Sequence, residues 1–335
     1  MTLTDVARAA GVSASTASRV LNGGKPVSED LEARVRDAAA QVGYVSNAAA
    51  SAMRGRRGLL AILTDELGVE ALAELSIAAG AAATAADLTT TVSSAGTEAR
   101  QQIFAVQVLR SLRPRAIVLT GAWISDPSIR EDLEKELSAY VEIEGGHVVI
   151  MGPPVLPYPA VSFDDHGDGR MIARHMASGG GSSALILAGP PTNESYRDRA
   201  RGIIDGLRES GVDDIQVLQS MNESGDAETV VAAYVMDSAP DMILCVSDRL
   251  ALGAYAAIDG LGLRLPEDVA LSGLDDLPVA QDLEPSLTTV AHPLREAGER
   301  VVSLALDGAQ ADHRAILPGE LVVRGTSRHG AEPSS

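Results

Sequence analysis

A chain of 335 residues, 45% hydrophobic and 22% charged, has the composition of a folded globular protein with room for two or three domains. No run approaches the ~20 apolar residues of a membrane span, and the N-terminus "MTLTDVARAAG" lacks the apolar stretch of a secretory signal, so no membrane partner is expected and the cytoplasm is the expected compartment. The net charge of −19 is unevenly spread: residues 1–58 hold eight Lys/Arg against five Asp/Glu, a balance of +3, which leaves −22 on the rest and sets a small N-terminal unit to meet an anion.

In chain order, Thr2-Leu3-Thr4-Asp5 fits a capping box, and a helix through Val6, Ala7 and Ala10 is expected to stop at Gly11. Ser13 is placed to cap a second helix, Ala14 to Asn22, ending at Gly23-Gly24. Helical spacing turns Ala17, Val20 and Leu21 inward and leaves Ala14, Ser15, Ser18 and Arg19 on or near the other face. Ser28 is the expected cap of a third helix with Leu31, Val35, Ala38 and Val42 inward, and Glu29 and Asp30 suit its first turn. Two short helices joined by "AGVS" and closed by a third make a helix-turn-helix, whose second helix must be slim to enter a groove about 12 Å wide. The same spacing also suits a three-helix packing module that touches no DNA.

Read whole, "TLTDVARAAGVSASTASRVLNGGKPVSEDLEARVRDAAAQVGYVSNAAASAMRGRR" closely resembles the DNA-binding headpiece of the lactose/galactose repressor family. The resemblance implies base contact for Ala14, Ser15 and Arg19, and phosphate or supporting contacts for Thr16, Ser18 and Asn22. Ala17 stands where the family usually has valine. Because Ala14 and Ser15 are short, readout is expected to lean on Arg19 and groove shape. The stretch 47–58, "NAAASAMRGRRG", matches the family's hinge helix, which pairs in the minor groove of operator DNA. Asn47 starts it, Met53 takes the place of a leucine wedge between base pairs, and Arg54, Arg56 and Arg57 would face phosphates. Ser46 replaces a usual proline.

From Gly58 onward short apolar runs alternate with helical patterns. Strands are expected at 59–63, 89–93, 116–120, 147–151, 183–188, 241–246 and 269–274, with helices at 69–86, 97–111, 167–179, 195–210 and 248–261. This is the pattern of parallel α/β sheets with crossover helices, in two lobes with a ligand site at the strand ends between them. The lone cysteine, Cys245 in "DMILCVS", reads as a small buried hydrophobe and leaves no disulfide framework.

Residues 240–299, with "ALILAGPPTNESYRDRARGIIDGL" before them, resemble the effector-binding region of the same family, which is related to periplasmic sugar-binding proteins. The first lobe, 59–150, matches less well: "TDELGVEALAEL" lacks the usual Asn-Pro-aromatic segment. The resemblance gives Arg199 a role on ligand hydroxyls and Asp275 that of their acceptor. Ser247 replaces the family's asparagine, giving one hydroxyl for a two-ended amide. Asp248 reads as support for the turn into the next helix. Trp123, the single tryptophan, follows the strand 116–120 and is a candidate to stack on the ligand, a lobe-core residue or a surface anchor.

The resemblance divides the chain into a helix-turn-helix unit (1–46), a hinge (47–58), a two-lobed periplasmic-binding-protein-like domain (59–328, crossovers near 162, 292 and 320) and a flexible tail (329–335). No nucleophile, acid–base pair, metal set or cofactor loop is assembled in the sequence: "GGGSS" lacks the Lys-Ser/Thr of a phosphate loop and precedes a strand. An enzyme is not expected, and no cofactor or metal is implied. The expected function is a dimeric, ligand-responsive repressor on a pseudo-palindromic double-stranded operator, with a sugar-like effector. The alternative is a DNA-binding regulator whose cleft answers to a non-sugar metabolite, a protein partner or nothing.

Overall fold

A computed structural model describes residues 2–21, 27–44, 58–64, 70–96, 98–121, 124, 126–221, 224–308 and 312–328. At the N-terminus, Thr2 and Asp5 form the expected capping box at the start of α1 (Leu3–Ala10), and Gly11 ends the helix at φ 63°. Ser13 Oγ accepts from the Thr16 N–H at 3.1 Å and opens α2 (Ala14–Leu21). Ser28 precedes α3 (Glu29–Gln41) as expected, but its hydroxyl makes no capping bond, leaving that end to the acidic first turn of Glu29, Asp30 and Glu32. Val6, Ala7, Ala10, Ala17, Val20, Val35, Ala38 and Ala39 form the small core, with Leu21, Leu31 and Val42 partly buried against it.

The first lobe is built on a six-stranded parallel sheet. Its spatial order is β11 (Arg314–Leu317), β5 (Ala160–Phe163), β4 (His147–Met151), β3 (Ala116–Thr120), β1 (Leu59–Thr64) and β2 (Thr89–Ser94). "LLAILT" is apolar at nearly every position because both its faces are covered. Leu60 and Ile62 pack under α4 (Glu70–Ala85) and α12 (Leu294–Asp307). Ala61 and Leu63 pack under α5 (Ala99–Ser111) and α6 (Arg130–Glu142). Gly298 lets α12 approach α4: a Cβ there would lie 2.7 Å from the Ala79 nitrogen.

The second lobe has a parallel sheet in the order β7 (Asp214–Gln219), β6 (Ser183–Ala188), β8 (Met242–Cys245) and β9 (Ala270–Ser272). Four helices share its core: α7 (Asp165–Ser178), α8 (Glu194–Glu209), α9 (Ser224–Asp237) and α10 (Asp248–Gly260). A short α11 (Pro278–Asp282) and an antiparallel pair, β10 (Thr289–Ala291) with β12 (Glu320–Val322), complete it. Cys245 is fully buried in this core.

All seven expected strands and five expected helices of the body are present, with boundaries shifted by a few residues at most. Five strands go beyond the expected set: β5, β7, β10, β11 and β12. Each is short or lies at an edge, and β7, "DIQVLQ", alternates polar with apolar instead of running apolar throughout. The helices α6, α9, α11 and α12 are likewise additional. The chain passes between the lobes three times: from β5 into α7, from β10 into α12, and from β11 into β12. No helix of the described residues is long and apolar enough to cross a membrane.

Candidate nucleic-acid interface and interlobe site

The α2 helix buries Ala17 and Val20 and exposes Ala14, Ser15 and Arg19, with Thr16 and Ser18 half-buried beside them. Ser13 Oγ bonds the hydroxyls of Ser15 and Thr16, each at 2.8 Å, so these groups are organised at the helix N-terminus. The helix carries no acidic residue in its first turn, which leaves its N-terminal N–H dipoles favourable to anions. The result is a slim exposed face with a five-donor guanidinium on its last turn.

The interlobe site is an ionic network around Arg199 of α8. This guanidinium is 5% exposed; its Nε donates to Asp165 Oδ1 at 2.8 Å, and Nη1 donates to Asp275 Oδ1 at 2.8 Å and to the Val246 carbonyl at 2.9 Å. Burial works against its charge, but Asp275 and Asp165 outweigh that and hold it protonated. Asp275 follows β9 on backbone with φ 119°. Its burial is offset by the charges of Arg199 and His292, which keep it below the ordinary carboxylate range. His292 Nδ1 lies 3.3 Å from the same Asp275 oxygen, and its Nε2 lies 3.1 Å from Asp168 Oδ2. Phe163 stacks on the imidazole at 4.3 Å with the rings 10° apart.

Ser247 is 1% exposed and its Oγ caps α10, accepting from the Leu250 N–H at 3.4 Å. Asp248 accepts from Thr289 Oγ1 at 2.7 Å and from the Leu277 N–H at 2.8 Å, the turn-supporting place expected for it. Burial, then the charge of Asp275, pushes its carboxyl up to about 7.

Of the residues singled out in the sequence, Ala14, Ser15, Thr16, Ser18 and Arg19 share the α2 surface, and Arg199 and Asp275 are in direct contact. Ser247 is adjacent in sequence to Val246, whose carbonyl Arg199 bonds. Asn22, Asn47, Met53, Arg54, Arg56, Arg57 and Trp123 lie outside the described residues, as do most of the expected hinge and the expected tail. The sequence reading missed Asp165, Asp168 and His292. The signal available was "FDDHGDGR", two carboxylates on the first turn of a helix that directly follows a strand, but nothing local says that Asp165 meets an arginine 34 positions away and Asp168 a histidine 124 positions away.

Residues 2–47 match the bacterial regulatory proteins of the lacI family, and residues 173–327 match a periplasmic binding protein-like domain. The HTH-type transcriptional regulator DegA of Bacillus subtilis is 28% identical over 96% of this chain and 97% of its own. The chain belongs to the lacI family of bacterial regulatory proteins. It is a DNA-binding transcriptional regulator and not an enzyme. The HTH-type transcriptional repressor CytR of Escherichia coli K12 is 26% identical over 98% of this chain and 96% of its own. In structure, this lacI-family chain is similar to the lac repressor dimer bound to operator and the anti-inducer ONPF: the TM-score is 0.82 at 25% identity, covering 97% of this chain and 98% of that one. The first lobe up to β5 lies outside both matched segments.

Proposed function

We propose that this lacI-family regulator represses transcription as a homodimer on a pseudo-palindromic operator, and that a small uncharged effector rich in hydroxyls, a sugar or sugar derivative, binds between its lobes and changes that grip. The observation that carries the reading is the exposed α2 face, slim, without acid in its first turn and bearing Arg19, on a unit of charge +3 in a chain of net −19. Two such helices fit successive major grooves, with the paired 47–58 segments in the minor groove between them. The similarity to a lac repressor dimer bound to operator supports this arrangement.

For the effector, support comes from Arg199 and Asp275, which meet beyond the carboxyl ends of β8 and β9, where open α/β sheets bind ligands. Arg199 already faces two carboxylates, which favours a neutral hydroxyl partner over a phosphate. The mechanism is linkage: an effector with different affinities for two lobe arrangements shifts operator affinity by that difference. A second reading, a cleft without a sugar effector, is favoured by Ser247, whose only side-chain oxygen is buried and caps a helix.

The test titrates Trp123 fluorescence with neutral sugars, nucleosides and sugar phosphates, on and off an operator selected from random DNA. The expected result is a saturable change with a neutral hydroxyl-rich compound that also shifts DNA affinity. Silence in both fluorescence and thermal stability across the panel selects the second reading. On the DNA side, Arg19→Ala is expected to lose about 1–3 kcal/mol of base discrimination. An unchanged operator preference in that variant removes the α2 assignment.

A further inference from the structure

The three passages between the lobes are joined by one small set of side chains. Asp168, 1% exposed on the first turn of α7, stands just after the first passage. Its Oδ1 accepts from the Gly319 N–H at 2.9 Å, in the third passage between β11 and β12. Its Oδ2 meets Nε2 of His292, in the second passage between β10 and α12. His292 also stacks on Phe163, the last residue of β5 and the start of the first passage. The other ring nitrogen, Nδ1, turns to Asp275, the carboxylate shared with Arg199. The imidazole side chain is 2% exposed, so water does not substitute for either partner.

We propose that His292 is the positioning residue that sets the angle between the lobes: through Asp168 and Phe163 it ties all three passages together, and through Asp275 it makes that tie depend on the charge in the cleft. The part concerning the cleft rests on the reading of Arg199 and Asp275 as the effector site.

The chemistry is specific to a doubly protonated ring. Imidazole carries a carboxylate at each nitrogen, and only imidazolium donates to both; the neutral ring would turn a lone pair toward one of them. The groups facing it are Asp168 from α7, Asp275 from the loop after β9, Arg199 from α8 and the Phe163 ring from β5. Burial and the charge of Arg199 oppose protonation, but the two carboxylates outweigh them and hold the ring above the ordinary imidazole range. The tie is therefore complete below that raised value and lost as pH rises through it. A cleft occupant that satisfies or displaces the Asp275 oxygen weakens the hold on Nδ1 and loosens the lobes.

The test needs no effector. Cysteines placed at Ile143 in the first lobe and Met236 in the second, both exposed, carry spin labels, with labelled chains diluted into unlabelled protein; the native Cys245 is buried. The labels report the distance between the lobes, and labelled histidine reports the charge on His292 by NMR. The full-length protein is expected to show one narrow distance while His292 is protonated, which broadens as pH rises with the same midpoint as His292 deprotonation. His292→Gln is expected to be broad throughout and to lose this pH dependence. Asp275→Asn is expected to lower the His292 midpoint and broaden the distance at pH values where the native chain is narrow. If the distance ignores His292 deprotonation in the native chain, the proposal falls without reference to any variant's folding. If only Asp275→Asn leaves the distance unchanged, the dependence on the cleft falls. An absence of effectors in the fluorescence panel leaves both lobe-angle results standing, so the two readings fail separately.

Discussion

At the scale of single residues, the interlobe site is defined by what burial does to charge. Arg199 and Asp275 are each near-buried, and each is tolerable because opposite charge meets it there: Asp275 and Asp165 for the guanidinium, Arg199 and His292 for the carboxylate. Among the described residues Asp248 has no such partner: its hydrogen bonds come from a hydroxyl and an N–H, and the charge that acts on it most, Asp275, is of the same sign. Its carboxyl accordingly rises from the ordinary 3.8 to about 7. Between those values the folded protein holds a proton that the unfolded chain has released, so stability falls as pH rises through that window. Asp248→Asn is expected to remove this part of the slope, read as a flatter melting temperature from mildly acidic to neutral pH; an unchanged slope would place the titration elsewhere. Of the site residues, Arg199 and Asp275 were legible because they sit in runs that resemble the family, "RDRARG" and "SGLDDLP". His292 was not, because a histidine between alanine and proline carries no local sign that two carboxylates will be folded against it.

At the scale of elements, the expected helices and strands hold because their periodicity is strong and their faces are covered. The edge strand β7 was illegible for the converse reason: a half-covered strand alternates, and "DIQVLQ" looks like loop when only continuous apolar runs are sought. Close helix pairing is where a single atom decides. A Cβ at Gly202 on α8 would stand 2.0 Å from the His166 carbonyl oxygen of α7, and one at Gly169 on α7 would stand 2.3 Å from the Arg199 carbonyl oxygen of α8. Gly202→Ala must push these helices apart, and a loss of about 1–3 kcal/mol is expected in urea unfolding. Gly80 in α4 has nothing within 4 Å of a Cβ, so Gly80→Ala is expected to stabilise by about 0.5–1 kcal/mol. If both substitutions behave alike, helix propensity and not the contact governs. The same pair of helices carries Asp165, Asp168 and Arg199, so this packing also sets the geometry of the ionic network.

At the scale of the whole molecule, charge divides the labour. A unit of +3 precedes a body of −22, which opposes general attachment to DNA and confines favourable contact to the basic end. Operator binding is then expected to weaken steeply with salt, with a log–log slope of about −0.9 for each phosphate neutralised. Gel-shift or anisotropy titrations over a range of salt concentrations measure this slope. A slope near zero would mean that the basic unit does not engage phosphates. The three passages between the lobes leave the two halves of the body with few covalent connections, which suits the two lobe arrangements that the proposed linkage calls for.

By itself the sequence determined the helix-turn-helix, the parallel α/β class and the charge division. These follow from caps, periodicity and composition, which act over a turn of helix or the length of a strand. Only the tertiary structure decided that β11 crosses back to complete the first sheet, that Ser247 is spent on a helix cap, and that Asp165, Asp168, Asp275, Arg199 and His292 form one network. The physical reason is that a buried charge is stabilised by whatever opposite charge the fold brings within hydrogen-bond distance. In this chain those partners come from segments 17 to 124 positions apart, farther than a turn of helix or the length of a strand reaches.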